Sequence, residues 1–331
     1  MALPALWCLR GAFPAAKIIY IWQKNKEGQV TAEEMLRGSG LVDEFLCDKV
    51  GAHFFGRFYS RLKIWASLIL RKVDLGIVLE EKHWPARRKR FLRFCGVKKV
   101  LGPDGKGSAI ERDSQGINSS PRISESLVDV LKPLKIPLPS ASSGKMTLPI
   151  LDTERRNVEG WIEKTGLKNH AKPWIGIGPW SNRPVKRWPL ENYFKVVEDL
   201  IETYGVMPIV FGGPAEKLIG QKLVRQWGRG YIAAGDLNVR EGVELLKRCR
   251  LYLGNDTGTM HMAVAAGIPC VAIFSSIDSP GRWEPYGENH SVFRTRVECE
   301  GCMLEECEIE KMKCILSINP PEVITACKRY L

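Results

Sequence analysis

The chain has 331 residues, 44% hydrophobic and 26% charged, with a net charge of +12. That length suits two domains of ordinary size, and the composition is that of a globular chain and not a disordered one. No apolar run approaches the roughly 18 to 20 residues of a membrane-spanning helix, and the start, Met1 to Cys8, lacks the basic region of a secretory leader.

Leu6, Leu9 and Phe13 recur at helical spacing, so Pro4 to Phe13 is expected to be a helix ended by Pro14. Lys17 to Trp22 reads as a strand, Ala32 to Leu36 as a short helix, and Leu41 to Cys47 as an extended piece. Phe54 to Leu70 has the pattern of a long amphipathic helix, Val73 to Leu79 of a strand, Trp84 to Phe94 of a basic helix and Val97 to Leu101 of a strand. Residues 56–106 carry 14 Lys and Arg against four Asp and Glu. Such a basic stretch suggests an anionic partner, although a solvated helix face has the same composition. Residues 103–121 read as a loop. Ser124 to Leu131 is expected to be a helix capped by Ser124, and Pro137 to Gly144 a linker. Thr153 to Thr165 closes the first half as a helix.

A second series starts at Pro173. Strands are expected at Trp174–Gly178, Pro208–Phe211, Tyr231–Ala234, Leu251–Leu253 and Cys270–Phe274. Helices are expected at Glu191–Tyr204, Ala215–Trp227 and Arg240–Cys249, and finally at Pro321–Tyr330. Alternating strands and helices predict an α/β chain with parallel sheets covered on both faces. The stretch from Leu251 to Phe274 is one strand–turn–helix–strand unit, with Asp256 or Thr257 as a candidate cap and Gly267 as the stop. A turn between a strand's carboxyl end and a helix's amino end exposes backbone N–H groups that favour an anion. Three loops of this half carry polar groups: Ser181–Lys186, Gly212–Glu216 and Asn255–His261. In an open parallel sheet such loops gather at one crevice, which suits a nucleotide diphosphate. Lys186 is the candidate point charge for phosphate.

Five of the ten cysteines crowd the end: Cys299, Cys302, Cys307, Cys314 and Cys327. Four thiolates suffice for zinc or an iron–sulfur cluster, but only Cys299 and Cys302 have paired spacing. Packing or reversible oxidation is the alternative reading.

Lys186-Arg187-Trp188-Pro189, Phe211-Gly212-Gly213, and Asn255-Asp256-Thr257-Gly258 followed by His261 resemble the ADP-heptose:lipopolysaccharide heptosyltransferases, glycosyltransferase family nine. The pattern Phe274, Pro280, Trp283, Pro285 and the cysteine-rich tail fit the same family. The resemblance is specific across roughly 170–331 and weaker before it. It implies a GT-B fold, two Rossmann-like parallel-sheet domains facing across a cleft: an acceptor-side domain over 1–165 and a donor domain over 166–331, the last helix packing back on the first domain. It implies inverting, metal-independent transfer of a heptose or related sugar from an ADP-sugar to a lipopolysaccharide core or similar glycolipid, with no cofactor. By the same resemblance Lys186 contacts the diphosphate, and Ser181 and Asn182 lie near phosphate. Asp256, Thr257 and Gly258 form the phosphate and sugar loop with His261 behind them, and Glu216 lies near the nucleoside. Lys186 and Asp256 are the candidate catalytic residues. The basic 56–106 stretch fits an anionic membrane surface, at the inner face of the inner membrane of a cytoplasmic enzyme; no nucleic-acid motif is present.

Family members begin with a strand and a Gly-Asp turn whose Asp is the presumed base. Here no acid precedes Glu27, and Met1 falls inside or just before the helix that follows that turn. Two explanations stay open: the true start lies upstream, which we expect, or the chain is a non-catalytic sugar-nucleotide-binding relative.

Overall fold

The computed structural model describes residues 1–23, 30–49, 54–80, 85–103, 111–112, 118–119, 121–140, 143–170, 173–308 and 311–331. Two compact units divide the chain: Met1–Glu111 with Pro121–Pro149, and Arg112–Ser120 with Ile150–Leu331.

In the first unit, α1 (Leu3–Ala12) leads into strand β1 (Ile19–Gln23), which pairs in parallel with β2 (Glu44–Asp48). Helix α2 (Ala32–Leu36) lies between them, opened by a reciprocal cap between Thr31 and Glu34. Helix α3 (Phe54–Arg71) packs on β2 and is followed by β3 (Leu75–Ile77). Helix α4 (Pro85–Phe94) packs on β4 (Lys99–Leu101), which pairs in parallel with β3. The two-residue strands β5 (Glu111–Arg112) and β6 (Asn118–Ser119), which fall largely to the second unit, pair with each other. Helix α5 (Ile123–Asp129) packs on α1, where Ala5, Leu9, Val128 and Leu131 form a small core. A second small core joins Ile64 and Leu68 of α3 to Cys95.

The second unit holds one six-stranded parallel sheet: β7 (Trp174–Gly178), β8 (Met207–Val210), β9 (Tyr231–Ile232), β10 (Leu251–Asn255), β11 (Cys270–Phe274) and β12 (His290–Arg294). Their order is β12-β11-β10-β7-β8-β9. Every residue of β7, β8, β10 and β11 is buried. That is why these strands read as continuous apolar runs and not as alternations: a parallel sheet is covered on both faces. On one face Ile175, Ile177, Leu251 and Leu253 meet Tyr193, Val196, Val197 and Leu200 of α7 (Leu190–Tyr204). Helix α8 (Lys217–Trp227) and the last helix, α12 (Pro320–Lys328), pack beside α7, and Lys328 pairs with Asp199 at 2.9 Å. On the other side α9 (Val239–Leu246) packs against both α6 (Asp152–Thr165) and α10 (Gly258–Ala266). Asn238 caps α9, accepting from the Arg240 and Glu241 N–H groups at 2.9 and 3.0 Å. A one-turn helix, α11 (Lys313–Leu316), follows the cysteine-rich stretch.

Several expectations need correction. Ser124 is no cap: the helix starts at Ile123 with Arg122 at the N-cap, which turns Ser124 inward. Neither Asp256 nor Thr257 caps α10 with its side chain; Thr257 holds the position without a bond, and Asp256 has another partner. Strand β12 was not expected, since His290-Ser291-Val292-Phe293-Arg294 shows no clean alternation and Val292 is exposed at the sheet edge. Trp84, expected to open the basic helix, lies outside the described residues, as does most of the 103–121 loop. Among the described residues no helix is long and apolar enough to cross a membrane.

Candidate functional site

The chain runs β7, β8, β9 to one side, then returns to add β10, β11, β12 on the other side of β7. The β7–β10 junction is therefore the switch point of the sheet, where loops leaving the carboxyl ends part and open a crevice. The residues the sequence singles out converge on this edge.

Gly178 ends β7 and stands opposite Gly254 of β10. Both must be glycine: a Cβ on Gly178 meets the Tyr252 hydroxyl at 1.8 Å, and one on Gly254 meets it at 2.3 Å. That hydroxyl shares a hydrogen bond of 2.7 Å with Thr259 Oγ1, so the floor of the crevice is tied to the first turn of α10. Burial pushes the Tyr252 phenol far above its usual range, and it stays neutral.

Asn255, fully buried at the end of β10, binds the loop after β7 to the sheet. Its Oδ1 accepts from the Trp188 N–H at 3.1 Å and the Tyr193 hydroxyl at 2.9 Å, and its Nδ2 donates to the Pro179 carbonyl at 2.9 Å. Trp188 packs edge-on against Tyr193 and donates from Nε1 to the Ile318 carbonyl at 3.1 Å. These anchors fix the one-turn helix Pro184–Lys186. From it Lys186 forms an ion pair with Asp256, both side chains largely buried. Burial pushes the Asp256 carboxyl up from the usual carboxylate range, and the Lys186 ammonium pulls it back.

Beside this pair the amino end of α10 presents the Gly258 and Thr259 backbone with no side-chain cap, and a Cβ on Gly258 would meet nothing within 4 Å. A helix start of this kind, next to an ammonium, accepts an anion. His261, half-buried in the same turn, has an enclosed Nδ1 with no hydrogen-bond partner among the described residues. Burial lowers its imidazole to about 3, the Lys186 charge contributing, so it is neutral. Ser181 is buried and Asn182 exposed in the same loop. The Arg187 guanidinium donates to the Ser181 carbonyl at 2.7 Å and lies 3.4 Å from the Trp180 ring centroid. Glu216 sits on the next loop over, after β8, its carboxylate folded against Gly212 and Gly213; a Cβ on Gly213 meets Glu216 Oε2 at 2.9 Å. Thus all eight singled-out residues sit at the carboxyl edges of β7, β8 and β10, while direct side-chain contact among them joins Lys186 to Asp256.

Sequence reading quoted Trp283 as part of the family pattern but missed the polar layer around it. Asp256 shares a small pocket with Asp278, Trp283, Glu284 and Arg294. Trp283 Nε1 donates to Asp278 at 2.7 Å, and Arg294 reaches the Ser275 carbonyl at 3.1 Å and Glu300 at 2.7 Å. Arg294 ends the edge strand that its sequence did not disclose; the polar run Ser275-Ser276-Ile277-Asp278 after β11 was the available signal.

The cysteine tail lies under the Lys186 loop. Cys299, Cys302, Cys307 and Cys314 line one small apolar cavity together with Val185, and Arg183 pairs with Glu305 at 2.6 Å. The described residues include all ten cysteines, and no disulfide joins any two of them. Among the described residues no group of three or more His, Cys, Asp or Glu side chains is arranged to hold a metal ion.

Residues 145–313, half of the chain, match the model of glycosyltransferase family 9 (heptosyltransferase). Lipooligosaccharide heptosyltransferase 2 of Haemophilus influenzae is 31% identical over 139 residues, 40% of this chain and 40% of that one, so the chain spans less than half the length of this relative. Among solved structures, a family 9 glycosyl transferase from Veillonella parvula superposes with a TM-score of 0.77 at 21% identity, covering 99% of this chain and 92% of that one. An ADP-heptose LPS heptosyltransferase II of E. coli gives 0.69 at 19% identity, covering 99% and 93%. At these identities the likeness shows the fold, an α/β architecture of the GT-B type.

Proposed function

The chain belongs to glycosyltransferase family 9, the heptosyltransferase family, and from that premise we propose that it moves a heptose or related sugar from an ADP-sugar to a lipopolysaccharide core or similar glycolipid. Transfer inverts the anomeric centre and needs no metal. Residues 166–331 bind the donor and residues 1–165 the acceptor. The observation that carries the reading is the Lys186–Asp256 pair beside the uncapped start of α10 at the sheet's switch point.

In this mechanism the donor diphosphate seats on the Gly258 and Thr259 N–H groups and takes a share of the Lys186 charge. The acceptor hydroxyl attacks the anomeric carbon from the face opposite the diphosphate and gives its proton to a base. The bond to the diphosphate breaks, and its electron pair leaves on phosphate. Lys186 and the helix N–H groups meet that charge where it develops, already oriented by Asn255 and Trp188. Asp256 holds Lys186 in place before the donor arrives and faces the sugar afterwards. Ser181 and Asn182 border the phosphates, His261 backs the loop as a neutral imidazole, and Glu216 accepts from the nucleoside.

The acceptor's lipid brings in the basic part of the first unit. Helices α3 and α4 lie side by side, with Trp65 and Phe94 ring centroids 6.5 Å apart. They expose Phe58, Tyr59, Leu62, Leu70 and Phe94 beside Lys63, Arg87, Arg90 and Arg93. Apolar rings among cations suit an anionic bilayer surface, in keeping with a cytoplasmic enzyme peripheral to the inner membrane.

Calorimetry with ADP tests the site. We expect wild-type binding, a loss of about 10- to 100-fold in Lys186→Met, as for a charge-assisted hydrogen bond, and near-normal ADP binding but lost sugar transfer in Asp256→Asn. Absence of ADP binding in the wild type sinks the proposal. Binding without transfer to an acceptor glycolipid leaves the non-catalytic reading in its place.

A further inference from the structure

Of the three cations on the loop between β7 and α7, two are already spent. Arg183 pairs with Glu305 at 2.6 Å, and Lys186 pairs with Asp256. Arg187 forms no ion pair among the described residues. Its Nε donates to the Ser181 carbonyl at 2.7 Å, and its guanidinium carbon lies 3.4 Å from the Trp180 ring centroid. The two terminal nitrogens of the fork have no hydrogen-bond partner among the described residues. Trp180 and Arg187 are both half-buried. A guanidinium keeps its proton at any working pH, so this is a partly desolvated charge with its two outer donors unused.

The fork is held from the backbone up. The Arg187 N–H donates to the Pro184 carbonyl at 3.0 Å, and the next residue, Trp188, is tied to Asn255. The stack on Trp180 fixes the plane of the guanidinium, and the bond to Ser181 fixes its rotation within that plane. A side chain set in this way has little rotamer freedom left to lose when a ligand arrives.

The neighbours select the ligand. On one side lies the loop of Ser181 and Lys186. On the other lies the loop after β8, where Glu216 is folded against Gly212 and Gly213. Burial disfavours the Arg187 charge, and the Glu216 carboxylate acts on it through space in the opposite sense without pairing with it. Arg187 therefore stands between the loop given to phosphate and the loop given to the nucleoside. In a nucleoside diphosphate with its outer phosphate at Lys186, the group between those two loops is the inner phosphate. A planar fork of N–H donors matches two phosphate oxygens at once.

We propose that the Arg187 fork holds the α-phosphate of the donor nucleotide, so that each phosphate is read by its own cation. This deepens the donor reading and rests on it. The two cations then differ in role. Charge develops on the outer phosphate as the sugar leaves, and Lys186 meets it there. The inner phosphate carries the same charge before and after, so Arg187 supplies binding and not rate.

Calorimetry on the full chain with ADP, AMP and adenosine tests the assignment. Arg187→Met weakens ADP and AMP alike, by about 10- to 100-fold, and leaves adenosine unchanged. Lys186→Met weakens ADP and spares AMP. Arg187→Lys, which keeps the charge without the fork, recovers part of the loss with both nucleotides. A loss in Arg187→Met confined to ADP means that Arg187 only steadies the loop that carries Lys186, and it overturns the proposal. A loss that extends to adenosine overturns it in favour of a nucleoside contact. Wild-type affinity for both nucleotides in Arg187→Met overturns it outright. These three outcomes leave the donor reading standing, whereas failure of the wild type to bind ADP removes that reading and this assignment with it.

Discussion

The second unit closes its sheet and the first does not. Six strands share one ladder in the second unit, and each of the two strands beneath the Lys186–Asp256 pair, β7 and β10, has a neighbour on both sides. Among the described residues of the first unit, β1 to β4 stand as two pairs flanking a space of about 1000 Å³, and every residue of β1 is only half-buried. The difference bears on what each half can do. Electrostatic preorganisation needs groups that do not relax when charge develops, and Lys186 has them: Asn255 and Trp188 tie its loop to a saturated sheet. The first unit offers a basic, aromatic outer face and an inner space with room to give.

Glycine substitutions are the sharpest way to break the comparison. Gly178→Ala puts a methyl into the Tyr252 hydroxyl at 1.8 Å and also against Thr259 Oγ1 at 2.7 Å, with no space to retreat. We expect a loss of about 3 kcal/mol or more, the upper range for overpacking, together with weakened ADP binding, since Thr259 opens α10. Gly76→Ala in β3 meets Leu92 Cδ1 at 3.0 Å. Leu92 borders the cavity and can turn into it, so a cost below about 1 kcal/mol is expected. Unfolding followed by amide exchange in each unit separately reads both; equal costs would erase the distinction.

Truncating leucines gives a smaller contrast of the same kind. Leu253→Ala removes a fully buried side chain from the core beneath α7 and should cost about 3–5 kcal/mol, a transfer loss plus a new cavity. Leu68, also buried, already borders open space; with fewer contacts to lose, Leu68→Ala should cost about 2 kcal/mol.

How far the sequence discloses this follows the same division. Strands β7 to β11 of the second unit were legible because each is a continuous apolar run closed by glycine or a polar turn, and the loops at the ends of β7, β8 and β10 carry the candidate residues. What no single sequence shows is that β7 and β10, 73 residues apart between Gly178 and Leu251, lie side by side; the partnership of Lys186 with Asp256 follows from that adjacency alone. Arg294 was hidden for a related reason, since an edge strand with one exposed face lacks a strong pattern, and Asp278 lies in the irregular stretch after β11. In the first unit the segments β1 and β3 were equally readable, yet nothing in their spacing says that they fail to pair. Local pattern reports what a segment is, and lateral order reports what it touches.

The smallest expected effect is electrostatic and lies at the joint between α1 and the half-sheet. Asp43 accepts from the Ile18 N–H and from Arg10, each at 2.7 Å. The Ile18 backbone bond, then the Arg10 guanidinium, holds its carboxyl below the usual carboxylate range. A depressed carboxyl stabilises the fold above its unfolded value, about 3.9, and that contribution is lost as pH falls through the lower, folded value. Because the side chain is 41% exposed, its share stays below about 1 kcal/mol, as for surface pairs. Asp43→Asn should therefore lower first-unit stability slightly at pH 7 and flatten its acid limb below about pH 4, while the second unit's acid limb is unchanged. An acid limb in the variant as steep as in the wild type would mean that α1 is held over the open sheet by its apolar contacts with Val128 and Leu131 and not by this carboxylate.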